Sequence, residues 1–193
     1  MFQKFKQCIS KFLKDGDYEE SEGGILVHRG LMIKGEYFDS VNGGDERIHP
    51  NLLPSEGILF ILNVALGATA KAAGFYLAPY SGAVTPAANW TAANFVSNAT
   101  EITSTTEGYA GATRKTWTAA AAAAGSIDNL AAKASYTITA TTTINVNGSA
   151  LLTDNTRGGT AGALISASRY ASTRVLANGD VWECGYRVTL TDS

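Results

Sequence analysis

SYTITATTTINVNG, residues 135–148, alternates small polar and apolar side chains and holds no acid, base, thiol or imidazole. Threonine is β-branched, and its restricted χ1 suits a pleated, half-exposed backbone. Alternation with a period of two sends one set of side chains inward and the other outward. The stretch therefore predicts strands over Ala134–Thr139 and Thr142–Val146. Ile138, Ile144 and Val146 are candidate core positions, and the threonines face water or a neighbour. Asn147-Gly148 reads as a hairpin-type turn.

The same texture extends in both directions. GFYLAPY at 74–80, Arg114–Thr118, Ala163–Tyr170 and Val181–Leu190 are further strand candidates. Asn178-Gly179 is a second hairpin-type signal, and Arg157-Gly158-Gly159 marks a longer loop. Six alanines at 119–124 favour helix by propensity, but a run that short is below the length of a stable helix. They read as a strand end and a tight loop, small enough to let two sheets approach closely. Thr85-Pro86 is turn chemistry, and one short helical turn is expected near Trp90–Phe95. Closer to the N-terminus, Ile25–His28 and Leu31–Phe38 read as short strands about Arg29-Gly30.

Two helices interrupt this pattern. Pro54 and Gly67 bracket SEGILFILNVAL, a helix near 55–66 whose apolar residues cover nearly the whole circumference. It is expected to be buried between layers or beneath a partner. MFQKFKQCISKFLKDG opens the chain as an amphipathic helix that Gly16 stops. Phe2, Phe5, Cys8, Ile9, Phe12 and Leu13 fill one arc, and Lys4, Lys6, Lys11 and Lys14 lie on the other. About four turns of helix are marginal alone in water, so this face needs a docking surface. Its own domain, a neighbouring subunit and a membrane are the three choices. The acidic run Asp15, Asp17, Glu19, Glu20, Glu22 opposes anionic lipid. That run reads as a solvated linker, since it lacks the central glycine and distal glutamate of a calcium loop.

Half of the charged residues fall in the first fifty positions, which places a composition boundary near Pro50. With 193 residues, the expected organisation is a helical arm and acidic linker over 1–22 and a single β-sandwich domain over 23–193. A net charge of −2 gives no electrostatic case for nucleic acid. The longest apolar run, Ile58–Leu62, is too short to span a bilayer, and the amphipathic N-terminus is not a signal peptide. The expectation is synthesis and assembly in a cytoplasm, with no membrane partner.

Chemistry-bearing residues are sparse. His28 and His49 are the two histidines, and a triad with Asp39 or Asp45 lacks a nucleophile elbow. Glu36, Asp39, Asp45 and Glu46 read as solvated loop charges more readily than as a pair for glycoside cleavage. No metal-ligand spacing or phosphate-binding glycine loop occurs, so no cofactor and no catalytic residue is expected. Cys8 and Cys184 read as free, buried thiols, with a disulfide between arm and last strand as the alternative. Trp90, Trp117 and Trp182 fit a β-sandwich core better than a sugar platform.

From Gly24 to Leu190 the order of segments resembles a group of small virion proteins of tailed bacteriophages. The segments are GLMIKGEYFDSVNGGDERIHPNLLPSEG, GFYLAPYSGAVTPAANWTAANF, ATRKTWTAAAAAAG, SYTITATTTINVNGSALL and GGTAGALISASRYASTRVLANGDVWECGYRVTL. The pattern is similar to that of capsid decoration, or cement, proteins. The resemblance implies a β-sandwich or jelly-roll body on the virion's capsid exterior, bridging capsomers of the major capsid protein. It implies no catalytic residues and leaves a tail, head–tail adaptor or fibre component as the alternative. The arm lies outside it. Phe2, Phe5, Ile9, Phe12 and Leu13 are the candidate partner-interface residues, in a homo-oligomer for which a dimer is favoured over a trimer.

Overall fold

The computed structural model describes residues 18–21, 24–27 and 31–192. The chain divides into two compact units, Met1–Ile33 with Leu190–Ser193, and Lys34–Thr189. In the first, β1 (Tyr18–Ser21) pairs antiparallel with β2 (Gly24–Val27), Tyr18 opposite Val27 and Glu20 opposite Ile25. Tyr18–Ser21 is thus a strand, where the sequence suggested only a solvated linker. Four successive residues find ladder partners on the Gly-Ile-Leu-Val segment, and that pairing outweighs the low strand propensity of two glutamates.

The larger unit is mainly β and carries two antiparallel sheets. One orders β11 (Leu164–Ala177), β10 (Thr143–Leu152), β5 (Tyr76–Tyr80) and β7 (Lys115–Thr116). The other orders β4 (Arg47–Pro50), β3 (Leu31–Val41), β12 (Val181–Asp192), β9 (Ala134–Thr139) and β6 (Gly108–Tyr109). A short β8 (Ser126–Asp128) also pairs with β12. Tyr136 and Ile138 are buried while Ser135 and Thr137 are exposed, the alternation the opening stretch predicts. Val146 is buried and Ile144 packs partly buried against the same core.

Side chains from one sheet bond to the other. Tyr37 Oη on β3 lies 2.6 Å from Ser166 Oγ on β11. Tyr136 Oη on β9 donates to the Leu77 carbonyl on β5 at 2.9 Å, and Trp117 Nε1 donates to the Tyr186 carbonyl on β12 at 3.0 Å. Burying aromatic bodies while satisfying their polar ends lets a Thr/Ala-rich chain keep a close-packed interior. Trp90, Trp117 and Trp182 are all core residues.

Asn147-Gly148 makes no turn, contrary to its sequence signal. β10 runs through it, with Gly148 opposite Tyr80 on one side and Arg169 on the other. A Cβ there would overlap the Tyr80 phenol and the Ser168 carbonyl, so the glycine serves close approach. Asn178-Gly179 does form a tight turn, with Gly179 at φ +87°. The strands it joins, β11 and β12, lie in different sheets. The alanine run is an exposed loop, with Ala124 and Gly125 both at positive φ. It separates no sheets.

Helix α1 (Ser55–Ala65) and helix α2 (Ala92–Ala99) complete the body. Thr91 and Asn94 form a reciprocal capping box at the start of α2. Phe95 from α2 meets Tyr80 and Trp90 edge-on. A single carboxylate ties the helices to the sheet: Glu56 accepts from the Ala92 N–H at 2.7 Å and the Leu164 N–H at 2.6 Å.

Candidate functional site

The densest polar cluster forms where β11 leaves regular pairing. Gly148 is opposite Arg169 and Val146 opposite Arg174, so Tyr170–Thr173 bulge out against Asn147 alone. Asn147 spans the bulge, accepting from Thr173 Oγ1 at 2.6 Å and donating to the Ser81 carbonyl at 2.6 Å. The bulge turns Tyr170 inward and brings Arg174 to the neighbouring sheet. There Arg174 Nε donates to Asp39 Oδ2, and its terminal nitrogen donates to the Asp39 carbonyl at 3.1 Å.

Asp39 is fully buried and its acceptor sites are filled. His49 Nε2 donates to Oδ1 at 2.7 Å, and Trp182 Nε1 donates to Oδ2 at 3.1 Å. Burial opposes ionisation of this carboxyl, but the hydrogen bonds from His49, Arg174 and Trp182 outweigh it and hold the pKa below its ordinary value. The His49 ring stacks on Tyr170 at 3.8 Å between centroids. Tyr170 Oη lies 2.6 Å from Ser149 Oγ, which in turn accepts from Cys184 Sγ at 3.5 Å. Burial pushes the Cys184 thiol up to about 12, which leaves almost no thiolate for nucleophilic attack near neutral pH.

The imidazole–carboxylate pair that sequence raised as a possible triad is therefore assembled, but inside the fold. His49 is 4% and Asp39 0% exposed, so no substrate atom reaches either. Asp39 accepts three side-chain hydrogen bonds at once and acts as a structural anion that fixes the bulge. Sequence reasoning gave no signal for Arg174 or Trp182 as its partners, because Arg174 arrives through the β11 irregularity and Trp182 through the pairing of distant strands β3 and β12.

A second buried ion pair anchors the loop after β10. Arg114 meets Glu101 through two hydrogen bonds of 2.8 and 2.7 Å, both side chains fully buried. Its remaining donors reach the Asp154 and Gly159 carbonyls at 3.0 Å each. Such bidentate, fully hydrogen-bonded geometry is what a buried ion pair requires to offset desolvation. Arg157 from the same loop stacks on Tyr109 at 3.7 Å and donates to the Ser104 carbonyl at 2.6 Å.

An open groove of about 510 Å³ runs beside Ser81, Ser104, Glu107 and Asn145. Its carboxylates are engaged: Glu101 by Arg114, and Glu107 by the Thr141 hydroxyl at 2.7 Å. Glu36 pairs with Arg187 and Lys34, and Glu46 with Lys133. Among the described residues no group of three or more His, Cys, Asp or Glu is placed to hold a metal ion. No helix among them is long and apolar enough to cross a membrane.

The outer face of α1 differs from the rest of the surface. Gly57, Phe60 and Ile61 face the body. Gly57 lies so near the Ile165 backbone that a Cβ would overlap its carbonyl, and Phe60 meets Phe75 edge-on. Ile58, Leu59, Leu62 and Leu66 point outward at 44, 58, 48 and 85% exposure. The helix expected to be buried between layers or beneath a partner is thus not buried between layers: the body covers it on one side only. Its all-round apolar sequence reflects two apolar faces, one on the sheet and one unpartnered within the body. Phe2, Phe5, Ile9, Phe12 and Leu13, along with Cys8 and His28, lie outside the described residues.

Comparison with protein-family models, curated proteins and solved structures finds no match.

Proposed function

We propose that this chain is a capsid decoration, or cement, protein of a tailed bacteriophage. It binds the outer surface of the major capsid protein shell and bridges capsomers. The single observation that supports this most is the outer face of α1, four large aliphatic side chains presented to solvent. An exposed contiguous apolar patch marks an interaction surface, and in this reading it is a contact between neighbouring subunits of the decoration layer. In this reading the two sheets, linked by Tyr37, Tyr136 and Trp117, form a sandwich of jelly-roll type. The chain works as a homo-oligomer on the virion exterior after assembly in the host cytoplasm.

The mechanism is mechanical. A pressurised shell fails where capsomers separate, and a bridging protein raises the cost of separation. A stable interface buries roughly 1,200–2,000 Å², and symmetry repeats the gain at each equivalent site. The amphipathic stripe Phe2, Phe5, Ile9, Phe12 and Leu13 engages a neighbouring subunit when the protein docks, and ordering the arm costs entropy that its apolar face offsets. Deleting residues 1–16 is expected to lower occupancy on purified capsids while the circular dichroism of the body is retained. Unchanged occupancy would contradict the proposed role of the arm.

A further inference from the structure

We propose that the outer face of α1 is the docking surface for the N-terminal segment of a second copy of this chain. Two copies then exchange arms reciprocally. The inference deepens the preceding reading by naming the neighbour that the arm engages, and it rests on the arm being a partner-contact element.

Four observations converge on this occupant. First, the face has helical spacing: Ile58, Leu59, Leu62 and Leu66 fall within about 100° of the wheel, and each is 44% exposed or more. Second, its length suits the arm. Residues 58–66 cover about 13 Å and residues 2–13 about 18 Å at the helical rise, so the arm's stripe overlies the whole face. Third, both stripes are built from large apolar side chains at spacings of three and four, the pattern by which helix ridges seat in helix grooves. Fourth, no lysine or arginine flanks the four residues on α1, which leaves the face without the cations that seat an amphipathic helix on anionic lipid.

Size argues for reciprocity. Three side chains on an eleven-residue helix and a fourth at its C-cap form one helix–helix contact, well short of a standard interface. Exchange about a two-fold axis supplies two such contacts and closes the assembly, because each copy both gives an arm and receives one.

The test is sedimentation equilibrium of the full chain and of full-length variants, with circular dichroism as the folding control. The wild type is expected to dimerise. Ile9→Asp in the arm and Leu62→Lys on α1 are each expected to weaken self-association at least tenfold with the circular dichroism of the body retained, the thermal midpoint falling only as loss of the dimer requires. Val175→Lys, at a site 62% exposed and away from α1, should leave it unaltered. An equimolar mixture of Ile9→Asp and Leu62→Lys keeps one intact arm and one intact face, and is expected to recover dimers intermediate in affinity. A monomeric wild type, a dimer indifferent to either substitution, or a mixture without recovery would each overturn the exchange. The last result would assign the arm to its own body. If Leu62→Lys alters the circular dichroism of the body, Leu59→Lys on the same face serves in its place. Capsid occupancy is scored separately: a dimer that leaves shells bare would sink the decoration reading and leave the arm exchange standing.

Discussion

Tyr170 and His49 stack face to face, 3.8 Å between ring centroids, at the point where β11 breaks its pairing with β10. The stack exists because four residues of β11 oppose one residue of β10. That irregularity also delivers Arg174 to Asp39, so the polar centre and the strand break are one feature.

Removing the anion at that centre should be severe. Asp39→Ala leaves the Arg174 guanidinium without its carboxylate and orphans donors on His49 and Trp182. Breaking a buried pair by removing one partner costs about 3–5 kcal/mol. Chemical denaturation should show a loss of that order. Trp182→Phe, which removes one donor and part of a fully buried ring, should cost less, about 1–3 kcal/mol.

Acid stability follows from the same carboxyl. The folded pKa of Asp39 lies below its ordinary 3.8, so the native state binds the proton less readily than the unfolded chain. Its contribution is complete above that ordinary value and is lost as pH falls through the lower, folded value. His49, Arg174 and Trp182 face the carboxylate, and Tyr170 lies on His49. Unfolding free energy measured from pH 6 downward should therefore drop at or below about pH 4. Asp39→Asn should flatten that part of the profile. A drop of the same size in the variant would assign acid lability to other carboxylates such as Glu36, which Arg187 and Lys34 likewise hold low.

Glu101 and Arg114 offer a cleaner energetic test, since both are fully buried and bonded to each other. Glu101→Gln and Arg114→Met should each destabilise by about 3 kcal/mol or more. The double variant should lose less than the sum, because each single change strands the surviving charge. Additive losses would show that the pair is screened.

Two Asn-Gly dipeptides show how far the sequence was legible. At Asn178-Gly179 the turn signal corresponds to a turn, with nothing near a Cβ added at Gly179. At Asn147-Gly148 the same signal lies inside a strand, because tertiary contact with Tyr80 decides what the glycine is for. Gly148→Ala should cost about 1–3 kcal/mol by overpacking, whereas Gly179→Ala should cost about 1 kcal/mol through its positive φ. Thermal midpoints rank the two.

The alternation around Ile138 and Val146 was readable because period two is a local property. So was helix α1, which Pro54 announces, whereas α2 runs over Ala92–Ala99 where the sequence predicts only one short turn near Trp90–Phe95. The convergence of Asp39, His49, Arg174 and Trp182 was not readable, since those residues lie on four strands of two sheets and a bulge in β11 places Arg174. The outward apolar face of α1 stands between two readings in the sequence, because an all-round apolar helix looks the same whether its second face meets a core or a partner.

The number of copies per virion tests the decoration reading most directly. Quantitative mass analysis of intact particles against the major capsid protein should give on the order of hundreds of copies, as shell symmetry repeats each site. A handful of copies per particle, the stoichiometry of a tail, adaptor or fibre part, would contradict it.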